Sequence, residues 1–334
     1  MILMIYTSFS SFIKADYEIL AQKYKVKKYQ YLNTKTILSH FFNQIKIFLW
    51  LILNIHQCKA VYIWFSDYHA FFPVLFCKIF RKKSFIVLGG YDVTYIPEIH
   101  YGSINNKIRK GVTLWAIKNA SCNLAVSKYV LNQAVKLVPT INVVLLYNGV
   151  DLSIFKLQEG KKKDQILTVG IIDSERRIKL KGIDVFVKIV KEMPDFEFII
   201  VGMTETIQNI LGDIPKNLKI FDQMPHAQLN DFYNEAKVYC QFSLVESFCL
   251  TLAEAMACGC VGVVTNAGAL PEIVGNSGFI IEKNNLAETK EAIREAMRLN
   301  KQKSDEAMKM INTNFGLIQR TQNIFKILNE YGIN

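Results

Sequence analysis

The sequence predicts an α/β protein built as two doubly wound, Rossmann-like domains facing a cleft. Three observations carry this. Short apolar runs rich in β-branched and aromatic residues alternate with helical patterns along most of the 334 residues. Such alternation, with strands apolar on both faces, means parallel sheets covered on both sides. The alternation runs twice, interrupted by the polar, charged segment "NGVDLSIFKLQEGKKKDQ" (148–165). The length also exceeds one typical core and suits two domains of about 100–200 residues. The first domain is expected over 1–150, joined by a closing helix at about 315–334. The second is expected over 151–314, with the hinge near Asp151 to Asp164.

In the first half the strands are "MILMIY", "VKKYQY", "AVYIWF" (60–65), "SFIVL" (84–88), "CNLAV" (122–126) and "VVLLY" (143–147). Helical patterns lie between them: "DYEILAQKY", 36–56, "AFFPVLFCKIF", 103–119 and "SKYVLNQAV". In the second half strands are expected at 166–172, 196–202, 218–221, 238–243, 261–265 and 278–281. Helices are expected at about 183–193, 204–211, 226–236, 248–258 and 285–299. Beyond residue 300 only helical pattern remains, and "LIQRTQNIFKILNEY" carries an apolar stripe at 317, 318, 324, 325, 327 and 328. Ligands in doubly wound sheets bind beyond the carboxyl ends of the strands, which here favours the cleft.

Hydrophobic residues make up 51% and charged residues 21% of the chain, so it reads as globular, not disordered. The net charge of +11 is unevenly spread: residues 1–150 hold 18 Lys and Arg against 5 Asp and Glu, residues 151–334 hold 22 against 24. Such asymmetry suggests that the first half faces an anionic partner, unless the charges are only solvated faces. The seven Cys (58, 77, 122, 240, 249, 258 and 260) are odd in number and form no CxxC, which fits a reducing cytoplasm. The N-terminus "MILMIYTSFS" lacks a basic leader region and reads as a strand. The most apolar stretch, "IFLWLILNI" (47–55), spans about 14 Å as a helix against about 30 Å of bilayer hydrocarbon, too short to cross unaided.

Several chemistries are excluded. Neither G-x-G-x-x-G nor G-x-x-x-x-G-K-[ST] occurs among the 17 glycines, which argues against a dehydrogenase or ATPase. No D-x-D pair or ligand-spaced cluster indicates a metal site; "DSE" (173–175) reads as a solvated loop. No G-x-S-x-G elbow and no nucleic-acid-binding module are present.

The segment "VESFCLTLAEAMACGC" (245–260) otherwise reads as core yet keeps two acids, Glu246 and Glu254. Glutamate is rarely buried without a partner. Read as a strand end followed by a helix that stops at Gly259, the segment offers a carboxylate in the loop, amides of Ser247 to Leu250 at a helix N-terminus, and a second carboxylate two turns in. The plainer reading makes Glu246 a complement to the helix dipole and Thr251–Glu254 a capping box. Spacing alone leaves both open.

"ESFCLTLAEAMACGCVGVV" resembles the E-x7-E motif of retaining glycosyltransferases of the GT-B fold, sequence family 4 (glycosyltransferase group 1), whose usual form is "ESFGLxxxEAMAxGxPVV". "NAGALPEIVGNSGFII" (266–281) is similar to the family's "GGxPEIVxxGxxGxLV", "TVGIIDSERRIKLKGID" to its first C-domain strand with a "KG" pair, "YNGVD" (147–151) to its domain junction, and "AVSKYV" (125–130) to its "VSxxV". The clear matches cover about 122–282; the first 120 residues match in layout only.

The resemblance implies roles. Lys181 is the phosphate-binding lysine, and Arg176 or Arg177 supplies the charge that the family draws from a "GR" pair, where this chain has Gly170-Ile171. Glu246 holds the donor sugar hydroxyls, Phe248, Cys249 and Leu250 offer backbone amides beside Ser247, and Glu254 takes both ribose hydroxyls. Cys249 replaces the usual glycine and crowds the sugar side. In place of the N-domain histidine of many members stands Gly89-Gly90-Tyr91-Asp92. Two glycines at a strand end allow a ligand to approach the backbone, with Asp92 or Tyr91 touching sugar or acceptor, unless the pair is only a tight turn. His69 and His100 are alternative histidines, and "SFSSFIKAD" (8–16) is a loop bordering the cleft.

The expected activity is transfer of a hexose from a nucleotide-sugar donor, without metal or cofactor, to a glycan or lipid-linked acceptor in polysaccharide or glycolipid synthesis. The alternatives are a sugar-nucleotide epimerase and a silent nucleotide-sugar-binding subunit. No nucleic-acid partner is expected. The basic, aromatic first half suggests a peripheral place at the inner face of the membrane, and residues 41–55 otherwise read as a helix packed on the sheet.

Overall fold

Two parallel six-stranded sheets, each interleaved with helices, organise the chain in a computed structural model that describes residues 1–32 and 36–334. One unit comprises Met1–Tyr147 with Arg320–Asn334, the other Asn148–Gln319. The two-domain α/β expectation holds.

The first unit runs β1 (Ile2–Tyr6), α1 (Ser11–Ala21), β2 (Val26–Gln30), α2 (Ile37–Asn54), β3 (Ala60–Trp64), α3 (Tyr68–Ile79), β4 (Lys83–Leu88), α4 (Lys107–Asn119), β5 (Cys122–Ala125), α5 (Lys128–Leu137) and β6 (Val143–Leu145). Its strand order is β2-β1-β3-β4-β5-β6. β1 and β3 are buried throughout, as inner strands of a covered parallel sheet must be. The edge strand β2 instead turns Lys27 and Lys28 to solvent, which blunts an open edge.

The second unit runs β7 (Lys163–Ile172), α6 (Glu175–Lys181), α7 (Ile183–Glu192), β8 (Glu197–Met203), α8 (Glu205–Gln208), β9 (Leu218–Phe221), α9 (Leu229–Glu235), β10 (Ala236–Gln241), α10 (Leu250–Ala257), β11 (Val261–Thr265), α11 (Leu270–Val274), β12 (Phe279–Ile281), α12 (Leu286–Arg298) and α13 (Asn300–Asn314). Its order is β12-β11-β10-β7-β8-β9. The chain leaves β7 towards β8 and later returns to β7's other side as β10. The topological switch point therefore lies between β7 and β10, which pair as Val238↔Ile166 and Tyr239↔Leu167. The last helix, α14 (Leu317–Glu330), begins in the second unit and ends in the first.

The strands fall within three residues of expectation. The helices bring corrections. Residues 11–16, read as loop, form the first half of α1. "ERRIKLK", read as a solvated charge run, is α6. Its apolar residues, Ile178 and Leu180, stand two apart, a spacing that shows no helical period, yet both are buried. Lys179 and Lys181 in its last turn suit the dipole, and Gly182 ends it in a left-handed conformation.

The apolar run is also longer than nine residues. Leu38–Gln57 forms a continuous helix long and apolar enough to cross a membrane by length and composition. Only one face of α2 packs as expected: Ile47 and Leu51 are buried, while much of the opposite face is exposed.

A buried ion pair binds α14 into the first unit. Arg320 Nε and Nη2 donate to Asp16 Oδ1 and Oδ2 at 2.6 and 2.7 Å. Arg320 Nη1 donates to the carbonyls of Leu146 and Tyr147, while Asp16 also accepts from Tyr62 Oη and Trp64 Nε1.

Candidate functional site

The residues that follow β7 and β10 meet at the switch point of the second sheet. Lys181 ends α6, and its Nζ lies 2.7 Å from Glu246 Oε1. Two backbone features hold the pair. Leu244 N donates to Leu180 O at 2.9 Å, tying the loop after β10 to the end of α6. Gly182 has φ 67°, and a Cβ there would strike the Phe242 carbonyl, so the "KG" glycine is required by both conformation and space.

Glu246 is braced from its other side. Ser243 Oγ donates to Oε1 at 2.9 Å, and Gln241 Nε2 donates to Ser243 Oγ at 2.7 Å. Gln241 Oε1 lies 2.9 Å from Tyr239 Oη, which lies 2.9 Å from Thr251 Oγ1. The loop at 266–269 backs this arrangement: Ala269 N donates to Glu246 O at 2.9 Å, and a Cβ on Gly268 would strike that same carbonyl. One carboxylate oxygen thus takes a cation and two neutral donors, leaving Oε2 to a ligand's hydroxyl.

Cys249 stands in the left-handed region at φ 76°, which explains why glycine is the ordinary choice there. The helix α10 starts only at Leu250, so Ser247, Phe248 and Cys249 belong to the loop, not to the helix as expected. The thiol is buried, within 3.6 Å of Gln241 Oε1 and 3.5 Å of Thr251 Oγ1. Burial pushes its pKa up to about 12, so it is a neutral thiol, not a nucleophile. Its side chain points into the polar chain behind Glu246.

Glu254 is almost fully buried on α10. Its Oε1 is 2.8 Å from His226 Nε2, and its Oε2 accepts from Tyr233 Oη at 3.2 Å. Burial raises its pKa; the hydrogen bond to Glu254 raises that of His226. His226 also packs against the Phe155 ring at 5.0 Å. Sequence reasoning missed His226, Gln241, Ser243 and Tyr233. A Gln at the end of an apolar strand was a usable signal; nothing near His226 marks it.

The raised His226 pKa carries a sign. Its pair with Glu254 is fully formed below the unfolded value of about 6.5 and is lost as pH rises through the higher folded value. Thermal unfolding of wild type and His226→Gln should therefore differ most near pH 6 and converge towards pH 8. A pH-independent difference would reject the charged pair.

The remaining candidates are placed otherwise. Arg177 pairs with Asp173 at 3.3 Å and donates to Ile171 O, bracing the loop after β7; Arg176 is exposed. In the first unit Asp92 is fully buried and accepts from Ser66 N and Gly90 N at 3.0 and 2.8 Å. Burial lifts its pKa to about 6. The expectation that Asp92 touches sugar is corrected: its carboxylate closes a turn. Gly89 makes room for the Phe65 ring, and Gly90 has φ 100°, so the turn reading explains both glycines. Tyr91 is the partly exposed member, with its Oη accepting from Arg109, which is paired with Asp67. His69 is buried against Trp64 O, a structural place. Ser127 of "AVSKYV" caps α5 through Val130 N. Among the described residues no three His, Cys, Asp or Glu side chains gather as metal ligands.

Comparison with known proteins agrees with this geometry. The family model "Glycosyl transferases group 1" matches residues 150–314. The chain is 28% identical over 218 residues to N-acetyl-alpha-D-glucosaminyl L-malate synthase of Bacillus anthracis, covering 60% of this chain and 55% of that one. It is 23% identical over 206 residues to a phosphatidylinositol N-acetylglucosaminyltransferase subunit of Arabidopsis thaliana, covering 55% and 43%. The chain thus spans about half the length of these two relatives. Among solved structures, sucrose-phosphate synthase from Thermosynechococcus elongatus matches with a TM-score of 0.79 at 13% identity, covering 99% of this chain and 98% of that one. Anabaena Alr3699/HepE in complex with UDP and glucose matches at 0.77 and 15%, covering 98% and 99%. The scaffold is of the GT-B type, and its second unit, residues 150–314, is a group 1 glycosyl transferase domain.

Proposed function

We propose that the chain is a retaining, metal-independent glycosyltransferase that moves a hexose from a nucleotide-sugar donor to a glycan or lipid-linked acceptor. The observation that carries this is the Lys181–Glu246 pair at the switch point of a group 1 glycosyl transferase domain. Breaking the bond from the anomeric carbon to the diphosphate leaves negative charge on the departing oxygen and positive charge on the sugar. Lys181 sits where a cation neutralises that oxygen, with Arg176 and Arg177 on the same helix. Glu246 Oε2 takes a sugar hydroxyl, and the carboxylate steadies the cationic ring. Glu254 takes the ribose diol, with His226 yielding its place on Oε1. The amides of Phe248, Cys249 and Leu250 line the sugar side. A lipid-linked acceptor is supported by likeness to the phosphatidylinositol N-acetylglucosaminyltransferase of Arabidopsis thaliana, and work in the cytoplasm, at the membrane's inner face, by seven free cysteines.

The test is donor binding and turnover with Lys181→Ala. Calorimetry with nucleoside diphosphates should show affinity reduced about tenfold or more, since a charge-assisted contact to phosphate is worth roughly 1.5–3 kcal/mol. Radiolabelled donors should be transferred, or slowly hydrolysed, by wild type alone. Unchanged affinity rejects the role of Lys181. Donor binding without turnover by wild type would mark a silent subunit instead.

A further inference from the structure

We propose that α2 is the element by which the first unit rests on an anionic lipid bilayer, lying in the plane of the surface with its outer face among the acyl chains. This rests on the reading that the enzyme works at a membrane, and it names the part that makes the contact.

The outer face of α2 is apolar from end to end. Leu38, Phe41, Phe42, Ile45, Leu49 and Leu53 follow helical spacing and are all exposed, Leu53 by 73%, Leu38 by 66% and Phe41 by 60%. A contiguous stripe of this kind is unusual on a soluble surface and marks a binding face. The inner face is committed to the fold. Ile47 and Leu51 are fully buried, Asn43 Nδ2 donates to Leu32 O, and Gln44 Nε2 to Tyr68 O. Phe48 packs on Phe72 and Phe76 of α3. Crossing a bilayer would tear these contacts out. An in-plane position keeps them and buries only the stripe.

Charge selects the occupant. Residues 25–83 hold ten Lys and Arg and a single acid, Asp67, which is engaged by Arg109. The cations flank the helix. Lys27 Nζ reaches Asn54 Oδ1 at 2.6 Å, Lys82 Nζ reaches His56 O at 3.3 Å, and Lys46 is exposed on α2 itself. Protein interface cores are depleted of lysine, whereas at a bilayer lysine heads reach the phosphates while their stems lie on apolar surface. An apolar stripe ringed by lysines is complementary to anionic lipid, not to a second copy of a face equally basic.

The test is flotation of the full chain with phosphatidylcholine vesicles and with vesicles containing 30% phosphatidylglycerol, at low and high salt. Wild type should float with the anionic vesicles, more weakly in high salt. The variant Phe41→Ser/Phe42→Ser/Leu49→Ser should lose at least tenfold in binding at either salt, with nucleoside diphosphate affinity unchanged. The charge reversal Lys46→Glu/Lys82→Glu should lose binding mainly at low salt. No flotation of wild type at low salt overturns the proposal. So does undiminished flotation of the triple variant, or a wild-type dimer that the triple variant converts to monomer without vesicle binding. Donor hydrolysis in the absence of lipid reads the enzyme reading separately, so failure of one leaves the other standing.

Discussion

Glu246→Gln is expected to lower turnover by about 10²–10³-fold while nucleoside diphosphate affinity stays equal or rises. Lys181, Ser243 and Gln241 all converge on Oε1, so the amide oxygen of glutamine keeps their hydrogen bonds and the local fold. What disappears is the negative charge that steadies a cationic sugar ring. The same charge stands 2.7 Å from the lysine proposed to hold the diphosphate, so its removal frees Lys181 for phosphate. Steady-state kinetics with calorimetry separates the two effects. Wild-type turnover removes Glu246 from the mechanism. Parallel loss of turnover and affinity reassigns it to uniform binding.

Arg320→Leu should destabilise the first unit by about 3–5 kcal/mol, because it leaves Asp16 as an unpaired charge in the core. For a domain of this size that is roughly 6–20 °C in its calorimetric transition. Asp16→Asn, which keeps the shape and leaves the guanidinium uncompensated, should fall in the same range. The contrast is Lys14→Ala, which opens the exposed pair with Glu18 and should shift the transition hardly at all. A shift for Arg320→Leu no larger than that of Lys14→Ala would show that the pair contributes nothing to the fold.

The fold was legible because its strands are long enough and apolar enough to register without context. The site was legible where it broke a pattern: Glu246 and Glu254 are acids in an apolar segment, and Lys181 precedes a glycine that the backbone requires. What failed was contact between distant residues. His226 meets Glu254 across 28 positions and an intervening strand, and nothing local marks the pair. Gln241 and Ser243 looked like ordinary strand residues because hydrogen bonding across the sheet end, not composition, gives them work. Asp92 was misjudged for a related reason: a carboxylate after two glycines serves a turn as readily as a ligand, and only its complete burial decides. α6 escaped notice because two turns are too few for a period to show. The outward face of α2 was hidden because an apolar run does not say which of its sides the sheet will take.

The first unit is not continuous in sequence: it needs Arg320–Asn334 as well as Met1–Tyr147. During synthesis Asp16 leaves the ribosome early and its partner last. The intervening 172 residues take about 9–34 s to make at 5–20 residues per second. Through that interval the nascent first unit holds a carboxylate built for a cation that does not yet exist, while the second unit can complete its own sheet. The order of maturation is therefore inverted relative to the order of emergence: the donor domain is finished first, and the unit that starts the chain is sealed by its end.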